Sequence, residues 1–324
     1  MPAIPDDQLL QYVDRAKGKV VVVTGGGNGI GKETAVRFAG FGAKVVIGDI
    51  DLGLAEATAS SIRSTGGEAI ATKCDVTVWN ELVDMYEAAM REFGAVDIVV
   101  ANAGIGEAGG CCKFPVQMDE NGRPEQPGVR TIEINLIGTL YTVHLAQHYL
   151  TLKRENTDSL KAIVLLGSIG SSWTALPMPT IMYVASKHGV LGIMRALDKT
   201  SFRPLNIRIS CICPFYAETA LVPSFLKELF KENDIPLVPV PRIAGAIIHS
   251  ATHPDPSTSG GAYWVPGPGS SFFVSREEFK EGVYEVIDEY SNAEFKRPID
   301  SRRPEAGGWL KSLVPARFSS SAKL

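Results

Sequence analysis

Tyr183 and Lys187 stand four residues apart in Tyr183-Val184-Ala185-Ser186-Lys187, and Ser168 precedes them at the end of the apolar run Ala162–Leu166. Residues four apart share one face of a helix. A free phenol, with a pKa of about 10, is a poor base at neutral pH. An ammonium one turn away favours the phenolate and lowers that pKa. Oxidising an alcohol needs such a base for the hydroxyl proton while hydride leaves the carbon. The lysine can also hold a ribose, and Ser168 can hydrogen-bond the substrate oxygen and stabilise charge developing there. Ser171 and Ser172 compete for the serine role, although Ser168 sits better at the strand end. Asn135 interrupts the apolar helical stretch Ile134-Asn135-Leu136-Ile137-Gly138. A mid-helix Asn is a poor helix former and costs free energy if buried unpaired, so it implies a specific partner. An ordered water linking the lysine to solvent would serve. The same Tyr-x-x-x-Lys spacing recurs at Tyr149 and Lys153. That tyrosine closes a helix with no strand-end serine just before it, so it reads as structural.

The elements that must position these groups begin with Val20-Val21-Val22-Val23-Thr24-Gly25-Gly26-Gly27-Asn28-Gly29-Ile30-Gly31. A β-branched run stops at glycines, and a helical pattern with Ala35, Val36, Phe38 and Ala39 follows at once. A strand, tight turn and helix in that order leave backbone N–H groups at the helix start, where they and the helix dipole suit a phosphate. Gly25 permits the sharp turn, Gly29 lets backbone approach a pyrophosphate, and Gly31 lets the helix pack closely on the strand. The next strand, Ala43 to Asp49, ends in an acid about 20 residues further on, where a ribose-binding carboxylate belongs. Such a carboxylate accepts from the ribose hydroxyls of NAD and repels the 2′-phosphate of NADP. Asn28 and Ile50 place no cation there for the extra phosphate. NAD is the cofactor expected.

Alternation of strands and helices continues along the chain. A leader helix is expected over Gln8 to Lys17, then strands at Glu68 to Asp75, Val96 to Ala101, Ala162 to Leu166, Ile207 to Cys213 and Gly260 to Val265, the last closing the sheet at its edge. Helices fill the intervals, including Arg130 to Leu150 and Pro223 to Glu232. Asp75 at a strand end suits either an adenine amino group, with Val76 against the ring, or the cap of the next helix. Asn102-Ala103-Gly104 ends the almost wholly apolar fourth strand, where a cofactor passes in doubly wound sheets. Residues 106–128 are rich in Gly, Pro and charge, and read either as a surface insertion near the mouth of the site or as a disordered loop. Six or seven strands alternating with helices predict an α/β fold, a doubly wound Rossmann-type parallel sheet. Residues 1–270 form one catalytic and cofactor-binding domain in this reading, and 271–324 add a C-terminal helix and tail.

The chain has 324 residues, 45% hydrophobic and 21% charged, with a net charge of −4. The charge argues against nucleic acid or an anionic membrane as the main partner. No apolar run reaches the ~18 residues of a membrane span, and the N-terminus carries no apolar signal region. Cytoplasmic location is the expectation. The C-terminal Ala322-Lys323-Leu324 approximates a Ser-Lys-Leu peroxisomal address, with Ala in place of Ser. Five cysteines, among them the adjacent Cys111 and Cys112, show no metal or disulfide spacing. His144 and His148 lack the glutamate of a zinc-protease motif, so no metal is expected.

Taken together, Thr24-Gly25-x-x-x-Gly29-Ile30-Gly31, Asp49, Asp75-Val76, Asn102-Ala103-Gly104, Asn135, Ser168 and Tyr183-x-x-x-Lys187 resemble the short-chain dehydrogenase/reductase family over about residues 18–268. Tyr183 to Gly189 looks most like its hydroxyprostaglandin dehydrogenase-like branch, which oxidises secondary alcohols with NAD. The resemblance implies a catalytic tetrad of Asn135, Ser168, Tyr183 and Lys187, with Tyr183 as acid/base. It implies that the cofactor is held by Thr24, Gly25, Asn28, Gly29, Ile30, Gly31, Asp49, Ile50, Asp75, Val76, Asn102, Ala103, Gly104, Tyr183, Lys187, Pro214, Phe215, Tyr216 and Thr219. It further implies a homo-dimer or homo-tetramer. Three features depart from the pattern: the interval from Ser168 to Tyr183 is longer than usual, Phe215 replaces a customary glycine, and both the 106–128 stretch and the tail lie outside the family core. Trp173, Leu176, Met178, Phe215, Tyr216, Leu221 and Phe225 border the expected site and favour a hydrophobic small-molecule substrate. An NAD-binding scaffold with a non-redox role, such as an isomerase, cyclase or regulator, is the competing reading. The intact tetrad argues against it.

Overall fold

A computed structural model of the chain describes residues 1–108, 116–152, 160–171, 180–198, 202–267, 269–275 and 277–278. Cys111, Cys112, Lys153, Ser172, Trp173, Leu176, Met178, the expected helix after 278 and the tail lie outside the described residues. The chain divides into two units, Met1–Arg276 and Glu277–Leu324.

The first unit is built on β2 (Val20–Thr24), whose five residues are all buried. A β-branched run covered on both faces belongs at the centre of a parallel sheet. Around it are β3 (Lys44–Asp49), β4 (Glu68–Lys73), β5 (Ile98–Ala101), β6 (Ala162–Leu166), β7 (Arg208–Pro214) and β8 (Ala262–Val265). The order is β8-β7-β6-β5-β2-β3-β4, all parallel. Helices cover both faces: α1 (Gly29–Gly40), α2 (Leu52–Ser64), α3 (Trp79–Phe93), α4 (Arg130–Ile132), α5 (Thr139–Thr151), α6 (Ile181–Leu197), α7 (Ser224–Glu232) and α8 (Val240–Thr252). The strand order reverses between β2 and β5, and a crevice opens there at the carboxyl ends of the strands. The register aligns those ends: Thr24 lies beside Ala101, Ala101 beside Leu165, and Leu166 beside Ile212.

The structure departs from the sequence reading in the leader, at the sheet edge and in the helix from Arg130. The leader is two short 3-10 turns, Asp6–Gln8 and Val13–Ala16, and not one α-helix. Leu9, Val13 and Ala16 are buried in the core all the same. β8 does not close the sheet. β9 (Ser271–Val274) pairs antiparallel with it, and β1 (Ala3–Ile4) pairs antiparallel with β9, so the sheet reaches past residue 270. The long helix expected from Arg130 is α4, then a π-helical turn over Glu133–Gly138, then α5. Residues 116–128, within the stretch read as an insertion, make a small exposed hairpin with Met118 opposite Pro124. Among the described residues, no helix is long and apolar enough to cross a membrane.

Candidate active site

The turn after β2 is locked to the turn after β5. Gly25 takes a left-handed backbone, φ +65°, and a Cβ there would lie 2.9 Å from the Ala103 Cα. A Cβ on Gly31 would collide with the Gly25 carbonyl oxygen, so the close packing expected of Gly31 is made against the loop itself. The Asn102 side-chain amide donates to the carbonyls of Thr24 (3.0 Å) and Gly25 (2.9 Å). The Thr24 hydroxyl accepts from the N–H groups of Asn102 (3.1 Å) and Ala103 (3.2 Å). Thr24 is buried, so it shapes this cradle from behind. Asn28 caps α1, its Oδ1 accepting from Gly29 N–H at 2.7 Å. The first-turn amides of Ile30 and Gly31 have no acceptor within the helix.

Asp49 ends β3 beside this turn. Its Oδ2 accepts from Gly27 N–H at 2.9 Å and its Oδ1 from Asp51 N–H at 3.0 Å. Gly27, which the sequence reading passed over, admits no side chain: its Cβ would meet Asp49 Oδ2 at 2.9 Å. Ile50 beside it is 58% exposed. Asp75 is already engaged. Its Oδ1 accepts from the N–H and hydroxyl of Thr77, and its Oδ2 from Arg130 at 3.0 Å. Those hydrogen bonds and the Arg130 charge hold its carboxyl below the usual range against the opposing pull of burial. It caps no helix, since α3 starts after Val78. Val76 packs on Gly138, where a Cβ would come within 2.5 Å of its Cγ2.

On the other side of the crevice a cavity of about 310 Å³ is lined by Ile30, Asn102 and Gly104, by Ser168, Tyr183 and Lys187, and by Pro214, Phe215, Tyr216, Thr219, Leu221, Val222 and Leu226. Ser168 lines it and Ser171 does not. The Ser171 hydroxyl is turned inward, accepting from Ser168 N–H at 3.0 Å. The Lys187 ammonium donates to the Leu166 carbonyl at 2.7 Å, and burial brings its pKa down to about 8. It lies 5.8 Å from the Tyr183 ring centroid. Burial pushes the Tyr183 phenol up, and the hydrogen bond with Ser168 pulls it back in part. The lowering by lysine expected from the spacing is therefore not found in the chain by itself. The physical reason is that burial penalises the charged phenolate by more than the hydrogen bond with Ser168 returns.

Asn135 lies in the π-helical turn, fully buried. Its Oδ1 accepts from Ile105 N–H at 2.8 Å, and its amide donates to the Ile105 carbonyl (2.9 Å) and Ser186 Oγ (3.2 Å). The side-chain partners of Asn135 are thus the loop after β5 and Ser186 on α6. Gly104 lies between Asn135 and Lys187: a Cβ there would sit 3.2 Å from Asn135 Oδ1, a tight contact, and 3.5 Å from Lys187 Nζ. Thr219 closes over the glycine turn, its Cγ2 3.4 Å from where a Gly29 Cβ would be. One further residue escaped sequence reasoning. Glu107 lines the cavity and accepts from Tyr183 N–H at 2.8 Å. Only its place shortly after Asn102-Ala103-Gly104 could have drawn notice.

Residues 19–229 match the short chain dehydrogenase family. The chain belongs to that family. Among relatives of this dehydrogenase, a short-chain dehydrogenase/reductase of Acremonium egyptiacum is 30% identical over 208 residues, 64% of this chain and 66% of that protein. A 5'-hydroxyaverantin dehydrogenase of Dothistroma septosporum is 28% identical over 313 residues, 90% of this chain and 95% of its own length. The crystal structure of a 3-ketoacyl-(acyl-carrier-protein) reductase from Brucella melitensis, complexed with NADH, is 29% identical with a TM-score of 0.65, covering 78% of this chain and 98% of that one. The family binds a nicotinamide cofactor. The residues of this short-chain dehydrogenase fit one: the glycine turn excludes side chains where backbone would meet a pyrophosphate, and a carboxylate stands at the end of β3.

Proposed function

We propose that this short-chain dehydrogenase interconverts a secondary alcohol and a ketone on a hydrophobic small molecule, with NAD as cofactor and Tyr183 as acid/base. The observation that carries the reading is the meeting of Ser168, Tyr183 and Lys187 on one cavity whose opposite wall is Ile30, Asn102 and Gly104. Gly25, Gly29, Gly31 and the first turn of α1 would hold the pyrophosphate, Asp49 the adenosine ribose, and Lys187 the nicotinamide ribose. NAD, when bound, supplies a hydride acceptor, and in its reduced form a hydride donor. The remaining work falls to side chains. Ser168 donates to the substrate oxygen and holds it, Tyr183 takes the hydroxyl proton in oxidation and returns it in reduction, and the Lys187 ammonium, one helical turn away, works against the burial that holds the phenol up. Phe215, Tyr216, Leu221 and Leu226 would exclude water from the carbon skeleton. Asp49 favours NAD over NADP because its charge opposes a 2′-phosphate, while Asn28 and Ile50 offer it no cation. A homo-dimer or homo-tetramer is proposed from the family resemblance; a monomer in light scattering would sink that part.

A fluorescence titration with NADH and NADPH side by side tests the cofactor, and Tyr183→Phe tests the acid/base. Tighter NADH than NADPH binding supports Asp49 as selector; the reverse order overturns it. The phenylalanine variant should lose about 100-fold or more in turnover while keeping its NADH affinity. Undiminished turnover would remove Tyr183 from the proton path. Binding of neither nucleotide would leave a non-redox scaffold as the better account.

A further inference from the structure

The helix that carries Tyr183 and Lys187 is capped from outside. Thr180, ahead of α6, makes no side-chain cap bond. Glu107 closes the helix start in its place: Oε2 accepts from Tyr183 N–H at 2.8 Å and Oε1 from Met182 N–H at 3.4 Å, across 75 residues of chain. The loop that delivers Glu107 is pinned on both sides. Asn135 holds both backbone groups of Ile105, and the Thr131 hydroxyl donates to the Gly106 carbonyl and accepts from Ala108 N–H. Glu107 also lines the cavity that holds Ser168 and Tyr183. Among the described lining residues only Glu107 and Lys187 carry charge, and Lys187 is directed at the Leu166 carbonyl.

A helix N-terminus facing a cavity attracts carboxylates and phosphates through its free amides and its dipole. Here that place opens on the substrate cavity and is filled by a carboxylate of the chain itself. An incoming anion would find the amides taken and a like charge beside them, in surroundings of low dielectric where repulsion is strong. We propose that Glu107 is a specificity-determining residue: by occupying the start of α6 it reserves the cavity for uncharged substrates and excludes those that bring a carboxylate or phosphate to that end. Both Glu107 oxygens accept from helix amides, so the carboxylate is compensated by α6 and is not a ligand for a substrate cation. The inference rests on the reading of this cavity as the alcohol or ketone site.

Three probes of similar size test it by calorimetry on the full NADH-loaded chain: benzyl alcohol, benzoate and benzylamine. The wild-type chain should bind benzyl alcohol and bind benzoate about tenfold or more weakly. Glu107→Gln keeps an acceptor for Tyr183 N–H and removes the charge, so the gap should narrow. Glu107→Ala also frees the amides, and benzoate should then bind more tightly than benzyl alcohol. No gain of benzoate binding in either variant, with far-UV dichroism unchanged, overturns the proposal; the glutamine variant keeps this test if the alanine variant fails to fold. A wild-type preference for benzylamine that both variants lose overturns it too, since the carboxylate would then be a cation ligand. Failure of the wild-type chain to bind NADH counts against the cofactor reading and not against Glu107, because the same probes titrated into the free chain still compare charged with uncharged ligands at the start of α6.

Discussion

The two halves of the crevice are built by opposite means. At the ends of β2, β3 and β5 the surface is backbone, drawn so tight that Gly25, Gly27 and Gly31 leave no room for a Cβ. At the ends of β6 and β7 it is side chains. Phe215, Tyr216, Leu221 and Leu226 line the cavity, and Leu221, Phe225 and Leu229 around α7 are about half exposed (48%, 55% and 45%). Backbone amides recognise phosphate without regard to what else a ligand carries. Side chains of varied size read shape and polarity. Under the proposed function the first half holds the part that never changes and the second the part that sets specificity.

Breaking the tight half should have the larger effect. Gly31→Ala drives a methyl into the Gly25 carbonyl, which cannot yield without moving the turn. We expect a loss of about 3 kcal/mol of stability and loss of NADH binding, read by thermal melting and fluorescence titration. Gly40→Ala, at the far end of the same helix, meets nothing within 4 Å and should melt as the wild type does or slightly higher. Equal behaviour of the two variants would dismiss the contrast. Next comes Asp49→Ser, which removes the charge while leaving the fold. It should reduce the preference for NADH over NADPH by about 2 kcal/mol, some thirtyfold. An unchanged ratio would mean that Asp49 selects nothing.

The open half should respond more gently and differently in kind. Leu226 is buried in a small cluster with Val222 and Phe230 under α7. Leu226→Ala should cost about 2 kcal/mol and raise KM for an apolar substrate, while NADH affinity stays at the wild-type value. A parallel fall in NADH affinity would show that the halves are not separable.

A smaller effect sets the pH window for all of these assays. His249 on α8 is buried against Tyr12, His253 and Tyr263, with Nδ1 3.1 Å from the Gln8 carbonyl oxygen. Burial brings its pKa down to about 4, against 6.5 unperturbed. The unfolded chain therefore takes up a proton that the folded chain refuses. The neutral imidazole's contribution is complete above pH 6.5 and is lost as pH falls toward 4. At a pH of about 5.5 the loss should be about 1 kcal/mol. His249→Phe should flatten the dependence of melting temperature on pH in that window, and an undiminished slope would assign the acid sensitivity elsewhere.

The fold was legible because its signals are local. A buried β-branched run, a glycine turn and a helical period each lie within a dozen residues, and they recur in alternation. The candidate site was legible for the same reason: Tyr183 and Lys187 are one turn apart, and Ser168 and Asn102 each follow the end of a strand. The edge pairing of β1 with β9 was not legible, since Ala3 and Phe272 meet across most of the chain and neither segment has a pattern long enough to announce a strand.

By itself, then, the sequence determined the doubly wound sheet, the glycine turn at its switch point and the residue types able to move a proton. Tertiary structure alone decided their partners. It turned Asn135 toward the loop after β5, set Asp75 against Arg130, aimed Lys187 at Leu166 and brought Glu107 to the start of α6. Those outcomes depend on groups from distant segments meeting in space. Which donor meets which acceptor there follows from the register of β2, β5 and β6, and residue spacing does not encode it.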